Sequence, residues 1–272
     1  MNRADSQQTP FTAIVLAGQR NASDPLVQQS GACCKALIEI DGKPMLQRVL
    51  DTLAASQQVG HRIISGPDLQ QLDPQNEIRK LVDSGTVDWQ IPQTSPSTSA
   101  WHAMQAVPAQ SPILLTTADH PLLTTEIVEE FCRQSLARNL DVAAGLAPYQ
   151  LVQQAFPDMK KTVMRFQDGD YCGCNLFAFM TPRGREVSRF WRKIEQERKN
   201  PFKLIQALGW TAVLKYLFHR LTLHEALDNL SNKLDLRAGT VLLPWAEAAI
   251  DVDSISDHDI VQRKMADRGV NT

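Results

Sequence analysis

The sequence lacks the features that define several common protein classes. Its least polar stretch, residues 204–218, is too short to span a bilayer and contains Lys215. Its first ten residues, MNRADSQQTP, contain no apolar segment typical of a secretory signal. Lys and Arg total 28 against 30 Asp and Glu, and the net charge of -2 gives no basic field that would favour nucleic acid. We therefore expect a cytoplasmic protein with no nucleic-acid partner.

The sequence also lacks the cysteine pattern of a zinc site. Of its five cysteines, Cys33 and Cys34 are adjacent, Cys172 and Cys174 are one residue apart, and Cys132 stands alone. Structural zinc sites need two separated ligand pairs, or histidines at suitable spacing. Free thiols in a reducing compartment are the better interpretation.

What the chain does contain is the periodicity of an α/β protein. Of its 272 residues, 43% are hydrophobic, which is ample for a core. Short apolar runs predict buried strands at residues 11–17, 61–65, 86–91, 112–117 and 141–146. Between them, helical spacing predicts helices from residue 45, over 98–107 and over 124–138, with Thr124 as an N-cap. This alternation predicts an open, mostly parallel sheet.

The second half of the chain has a different pattern. Strands are predicted at residues 162–166, 174–180, 240–243 and 248–252, and a closing helix at 257–268. Residues 183–233 are predicted to be mainly helical, with breaks near 200–201 and at Gly209. Since no repeat or low-complexity linker is present, we expect one domain over 1–272 with a helical insertion at about 183–233.

Three polar clusters fall at the ends of predicted strands. In an open α/β sheet, ligands bind at the carboxyl ends of the strands. The clusters are LAGQR at 16–20 with Lys35 beyond it, TADHP at 117–121, and DVD at 251–253.

Each residue type in these clusters suits one part of a phosphate site. Gly18 allows backbone N–H groups to approach a phosphate. Arg20 and Lys35 would add positive charge, and strand-end Asp residues suit Mg²⁺. Taken singly, the patterns have simpler interpretations, because Asp before Pro is a common turn former and Asp251 and Asp253 could cap the last helix.

Together these motifs resemble the MobA-like NTP transferases, which are nucleotidyltransferases of the glycosyltransferase-A fold. LAGQR, followed by KALIEIDGKPML from Lys35, is similar to the family signature. STSAWHAMQAV from Ser97 resembles the loop and helix near the base, and TADHPLL from Thr117 resembles the metal-binding motif. GCNLFAF from Gly173 and DVDSISDHD from Asp251 resemble the acceptor strand and the closing motif.

The resemblance implies a three-layer, Rossmann-like fold with a mostly parallel mixed sheet. It implies transfer of a nucleoside monophosphate from an NTP, with GTP or CTP favoured, to a phosphorylated sugar, polyol or cofactor precursor. Residues of about 11–150 would bind the nucleotide, and about 151–272 the acceptor. The implied roles are Mg²⁺ binding by Asp119 and Asp253, catalysis by Lys35 and Arg20, and nucleotide or acceptor binding by Leu16, Ala17, Gly18, Gln19, Ser97, Thr98, Ser99 and Asn175.

The sequence departs from the family pattern in the loop between Gly18 and Lys35, which is longer than usual. This altered loop keeps a nucleotide sensor without turnover as an alternative. A glycosyltransferase stays as a second alternative because it would use the same fold. His120 is either an acceptor contact or a solvated loop residue. The basic residues of 183–203 form either a solvated helix face or an anion site, and a peripheral membrane contact through 183–218 is a further option. The base, the acceptor and the oligomeric state are not determined by the sequence.

Overall fold

The computed structural model describes residues 9–18, 24–73, 75–197 and 210–270. Within them the strands are β1 Phe11–Leu16, β2 Glu39–Ile40, β3 Lys43–Pro44, β4 Val59–Ser65, β5 Asp88–Gln90, β6 Ile113–Thr117, β7 Val142–Pro148, β8 Met164–Phe166, β9 Gly169–Phe179 and β10 Ala238–Leu242. The helices are α1 Pro25–Ser30, α2 Met45–Ala55, α3 Glu77–Asp83, α4 Pro96–Gln105, α5 Thr125–Ala137, α6 Tyr149–Ala155, α7 Pro182–Arg185, α8 Val187–Glu197, α9 Trp210–Leu217, α10 Leu223–Leu234 and α11 Ile255–Val270.

The main sheet has the strand order β10-β7-β9-β6-β1-β4-β5, with β8 paired to β9. Strand β1 is parallel to both β4 and β6, and β7 is parallel to β10. Strand β9 runs antiparallel to its neighbours β6, β7 and β8. The sheet is therefore mixed and mostly parallel, and the carboxyl ends of β1 and β6 meet at one edge.

Apolar side chains cover both faces of this sheet, because successive strand residues point to opposite sides. On one face, Ala13 and Val15 of β1 belong to a core shared with α2 and α5. On the other face, Ile14 packs in a second core with Ala103 and Met104 of α4. Fully burying an aliphatic side chain in such a core stabilises the fold by roughly 1.5–3 kcal/mol. The two cores make the three-layer arrangement that the resemblance predicts.

Most predicted elements are confirmed with small shifts at their ends. Thr124 caps α5 as predicted, since its side chain accepts a hydrogen bond from the backbone N–H of Ile127. The predicted helical stretch 183–233 contains α7, α8, α9 and α10. Its predicted breaks at 200–201 and 209 lie outside the described residues.

One predicted strand is wrong. The apolar run 248–252 contains part of a 3₁₀ turn, Ala246–Ala249, followed by an extended segment that joins no sheet. Burial rather than strand pairing explains its apolar character, because Ala248, Ala249, Ile250 and Val252 are all fully buried.

Three helices of the structure are absent from the sequence prediction: α1, α3 and α6. Helix α1 had local signals, since Asp24 caps its start, Pro25 occupies its first turn and Gly31 ends it in the left-handed conformation. Their short lengths make the helical period difficult to detect.

Candidate active site

The side chain of Lys35 connects two carboxylates at the carboxyl edge of the sheet. Its Nζ lies 2.7 Å from Oδ2 of Asp119 and 2.5 Å from Oδ1 of Asp253. Thr117 adds a hydrogen bond from its hydroxyl to Oδ1 of Asp119, at 2.6 Å. Three residues that are distant in sequence therefore converge on one point.

Backbone geometry brings these residues together. Asp119 follows the end of β6, and its carbonyl accepts a hydrogen bond from the backbone N–H of Val252 at 3.0 Å. Val252 is fully buried. Because side chains alternate along an extended segment, Asp251 and Asp253 lie on the side opposite Val252. Lys35 begins a 3₁₀ turn between the buried residues Cys34 and Ala36.

The electrostatic coupling shifts the pKa values of both partners. Burial would lower the pKa of Lys35, but Asp119 and Asp253 raise it above its usual value. Burial would raise the pKa of Asp119, but the Lys35 ammonium holds it below its usual value. Both groups are therefore charged at neutral pH.

A second polar cluster adjoins the first. Nδ2 of Asn175 lies 3.0 Å from Nε2 of His120 and 3.2 Å from Oδ2 of Asp251. Lys161 forms an ion pair with the other oxygen of Asp251. Asn175 has a φ of 48°, and it lies where the pairing of β9 with β7 shifts register. Such a bulge redirects a side chain, and Asn tolerates this conformation better than most residues.

His120 is not a solvated loop residue, because only 1% of it is exposed. Burial lowers its pKa below the usual value even though Asp119 and Asp251 oppose the shift. A neutral ring is consistent with an Nε2 that accepts from Asn175, which puts the proton on Nδ1. Within the described part of the chain, Nδ1 has no hydrogen-bond partner.

A cavity of about 570 Å³ opens beside these two clusters. Its charged lining residues come from loops at the carboxyl edge: Asp24, Lys35, Asp119, Asp251 and Asp253. Gly18, Pro96 and Asn175 also line it. The cavity therefore connects the start of the long loop after β1 with both polar clusters.

The residues predicted to bind the nucleotide have different positions. Leu16 and Gly18 line the cavity, whereas Ala17 is buried and its backbone N–H bonds to Ser65. A Cβ on Gly18 would lie 3.0 Å from Pro92, so the chain is closely packed there. Gln19 and Arg20 lie outside the described residues.

The serines at the start of α4 are largely enclosed. Ser97 and Ser99 are buried, and the hydroxyl of Ser99 accepts a hydrogen bond from the N–H of Gln93. The N–H of Ser97 donates to Glu195 of α8. Thr98 is partly exposed and bonds to Ser95. Helix α8 therefore covers the start of α4.

The basic segment that begins at residue 183 is partly structural. The Arg185 guanidinium is buried and donates to four backbone carbonyls, including those of Val107 and Ser111. Arg189 stacks over Trp101 at 4.3 Å. Arg185 is therefore neither part of a solvated helix face nor an anion ligand.

The membrane contact predicted for 183–218 stays a prediction. Leu217 and Phe218 are 66% and 71% exposed. In the described residues, no helix combines the length and apolarity needed to cross a membrane.

All five cysteines are free thiols, which confirms the prediction made for the cysteines from the sequence.

Lys161 and Asp251 are among the residues of the site that are absent from the predicted set. Asp251 had a signal, since two aspartates separated by one residue share a side of an extended segment. Lys161 had none, because its partner is 90 residues away in the sequence.

The fold and this edge site define a nucleotidyltransferase-like protein with the glycosyltransferase-A architecture. Residues 13–229 match the model of the MobA-like NTP transferase domain. The chain belongs to the MobA-like NTP transferase family. No curated protein sequence matches it.

Several solved structures are similar to the chain. A hypothetical transferase from Thermus thermophilus has a TM-score of 0.73 and 26% identity, covering 92% of this chain and 99% of its own. A CMP:2-keto-3-deoxy-manno-octonic acid synthetase complexed with CTP has a TM-score of 0.57 and 15% identity, with coverages of 95% and 99%. A 4-diphosphocytidyl-2C-methyl-D-erythritol synthase from Anaerococcus prevotii has a TM-score of 0.56 and 12% identity, covering 95% of this chain and 97% of its own. The last two show the fold alone.

Proposed function

We propose that this protein transfers a nucleoside monophosphate from an NTP to a phosphorylated small-molecule acceptor, with release of pyrophosphate. The observation that carries the proposal is the Lys35 ammonium bonded to both Asp119 and Asp253 at the carboxyl edge of the sheet. This edge is where open α/β sheets bind ligands. CTP and GTP are the donors we favour, and one of the similar structures is complexed with CTP.

In the proposed reaction, an oxygen of the acceptor phosphate attacks the α-phosphorus of the NTP. The bond between the α-phosphorus and the bridging oxygen breaks, and pyrophosphate leaves with the electron pair. The attacking oxygen is already anionic near neutral pH, so no general base is needed. Catalysis then depends on positioning and on neutralising charge.

Lys35 supplies that charge. Its raised pKa keeps it protonated across the physiological range. Arg20 is proposed to assist it, and Leu16, Ala17, Gly18 and Gln19 to approach the triphosphate through their backbone. The base would lie near the start of α4, at Ser97, Thr98 and Ser99. Because the side chains of Ser97 and Ser99 are buried, these two residues would act indirectly, by holding the structure around the base.

The two carboxylates also fit a magnesium ion. Asp119 and Asp253 both lie within 2.7 Å of a single cationic nitrogen, so the structure already holds a cation between them. Mg²⁺ prefers oxygen ligands and often takes only one or two protein carboxylates plus substrate phosphates. When bound, Mg²⁺ would neutralise phosphate charge and orient donor and acceptor oxygens.

The acceptor is assigned to the side of Asn175, in the 151–272 half that carries the helical insertion. The side-chain amide of Asn175 is held by His120 and Asp251, so it is oriented before any substrate binds. Five free thiols suit a reducing compartment, and we place the reaction in the cytoplasm.

Pyrophosphate release tests the proposal. Each of the four NTPs would be combined with Mg²⁺ and a panel of phosphorylated sugars, polyols and cofactor precursors. We expect release that requires one NTP and one acceptor and that is strongly reduced in Lys35→Met. Calorimetry of NTP binding accompanies the assay. Magnesium-dependent binding without turnover for any acceptor would favour a nucleotide sensor, and no NTP binding would refute a nucleotide site.

A further inference from the structure

The cavity beside the catalytic residues continues beneath α8, away from the charged edge. Its deeper lining is mostly apolar and aromatic: Leu115, Val142, Phe177, Phe179, Val187 and Trp191. Ser188 also lines it, but its hydroxyl is already bonded to the Arg185 carbonyl. We call this deeper part the apolar channel. The proposed transfer reaction does not by itself require such a channel.

Strand register places the floor of the apolar channel on one face of the sheet. Leu115 of β6 lies opposite Phe177 of β9, and Val142 of β7 lies opposite Phe179. Residues directly opposite each other share a face, as do residues two apart on one strand. Asn175, two residues before Phe177 on β9, lines the same cavity. The channel is therefore continuous with the site at Asn175 and extends along the face.

Helix α8 forms the roof of the apolar channel. Its Val187 and Trp191 line the cavity, and the Trp191 ring stacks on Phe177 with the ring centroids 6.3 Å apart. The helix is anchored on the far side by Arg189 over Trp101, and at its start by the Ser188 hydroxyl, which donates to the Arg185 carbonyl. The Trp191–Phe177 stack thus joins roof and floor at one point of the channel, whereas the Arg189–Trp101 contact holds the helix from outside it.

This arrangement separates two chemistries along one cavity. The charged lining residues are at the carboxyl edge, where a phosphate would be held, and the deeper residues offer apolar surface. A polar sugar placed in the channel would lose hydrogen bonds to water without replacement, which costs free energy for each unpaired group. A nucleobase has the same disadvantage, because its edges carry donors and acceptors.

We propose that the acceptor is amphipathic: a phosphate monoester carried on an apolar chain, such as an alkyl or isoprenoid phosphate. Its phosphate would lie near Lys35 and Asn175, and its apolar body in the channel beneath α8. This inference rests on the proposed nucleotidyl transfer and specifies its acceptor class.

Binding of two simple phosphates to the full-length protein tests the inference. Calorimetry would compare methyl phosphate with octyl phosphate below its aggregation concentration. We expect affinity to rise about fourfold for each buried methylene, until the channel is filled. Pyrophosphate release with Mg²⁺ and the preferred NTP should show the same order of acceptors.

A variant that fills the channel provides the specific test. Val187→Trp should weaken octyl phosphate binding at least tenfold and leave methyl phosphate and NTP binding unchanged. Leu151→Trp is the matched control, since Leu151 is 37% exposed and does not line the cavity. If Val187→Trp does not fold, Val187→Phe makes the same test with a smaller side chain.

The possible results separate this inference from the proposed function. Equal binding of methyl and octyl phosphate, with NTP binding and turnover of short acceptors intact, would overturn the amphipathic acceptor alone. Weaker NTP binding in Val187→Trp would assign the channel to the nucleobase and also overturn it. Absence of both NTP binding and pyrophosphate release in the wild type would instead refute the transferase.

Discussion

The Lys35 ammonium donates a 2.7 Å hydrogen bond to Asp119, although the two residues are separated by 84 positions. The side chains are only 20% and 21% exposed, so water screens this pair less than a surface pair. In the proposed reaction, a substrate phosphate would compete with Asp119 for the same ammonium. The ion pair therefore orients the cation before substrate arrives.

Lys35→Met is expected to lower turnover by about 10²–10³-fold, the usual cost of removing one group that stabilises transition-state charge. Steady-state pyrophosphate release would measure it. Lys43→Met is the control, because Lys43 is exposed and forms its ion pair with Asp51. Unchanged turnover in Lys35→Met would remove Lys35 from the mechanism.

Asp253→Asn is expected to weaken Mg²⁺-dependent NTP binding, because it removes one of two carboxylates proposed to hold the ion. The Mg²⁺ concentration at half-maximal turnover should rise about tenfold or more, in line with the 1–3 kcal/mol typical of a charged hydrogen-bonding group. Asp88→Asn, at an exposed site beside His61, is the control. An unchanged Mg²⁺ dependence would show that Asp253 does not bind the ion.

Lys161→Met is expected to act on the acceptor rather than on the NTP. Lys161 pairs with Asp251, and Asp251 in turn holds Asn175. Without the lysine, Asp251 is left unpaired and the Asn175 amide loses its fixed orientation. We expect the KM for the acceptor to rise about tenfold, with NTP affinity unchanged. Lys160→Met is the matched control, since Lys160 is exposed. A larger effect on NTP affinity would contradict this assignment.

The buried carboxylate Asp141 should make stability depend on pH at acidic values. The Arg237 side chain donates to it, and this bond lowers the pKa of Asp141 to about 2. Because the folded pKa is below the unfolded value near 4, the stabilisation is complete above about pH 4 and is lost as pH falls towards 2. Its size is about 1–2 kcal/mol, discounted because Arg237 is half exposed.

Chemical unfolding of wild type and Asp141→Asn at a series of pH values would measure the stabilisation that the Asp141 carboxylate contributes. We expect the difference in unfolding free energy to shrink as pH falls from 5 to about 2. A constant difference over that range would show that the charge of Asp141 does not contribute.

Gly184→Ala is expected to destabilise the fold by about 1–3 kcal/mol or more, because the new methyl group would meet backbone. A Cβ at Gly184 would lie 1.9 Å from the carbonyl oxygen of Asp141. Gly173→Ala is the control, since nothing lies within 4 Å of a Cβ there. Thermal unfolding would compare the two variants. Equal melting temperatures would show that α7 moves away from β7 without cost.

The apolar pattern of this sequence determined the two-sided sheet. Apolar runs such as FTAIVL and ILLTT predicted central strands correctly, because strands covered on both faces are apolar throughout. The motif order around Lys35, Asp119 and Asp253 likewise located the candidate site. The run 248–252 was misleading because an apolar segment can be buried without pairing as a strand.

Tertiary structure alone decided how the site is assembled. The Lys161–Asp251 pair and the burial of His120 depend on contacts between segments far apart in sequence, which no local pattern encodes. The same is true of the apolar channel, where α8 lies over a face formed by three strands. Local spacing determines which side chains share a face, whereas the packing of one element on another determines which faces meet and what space is left between them.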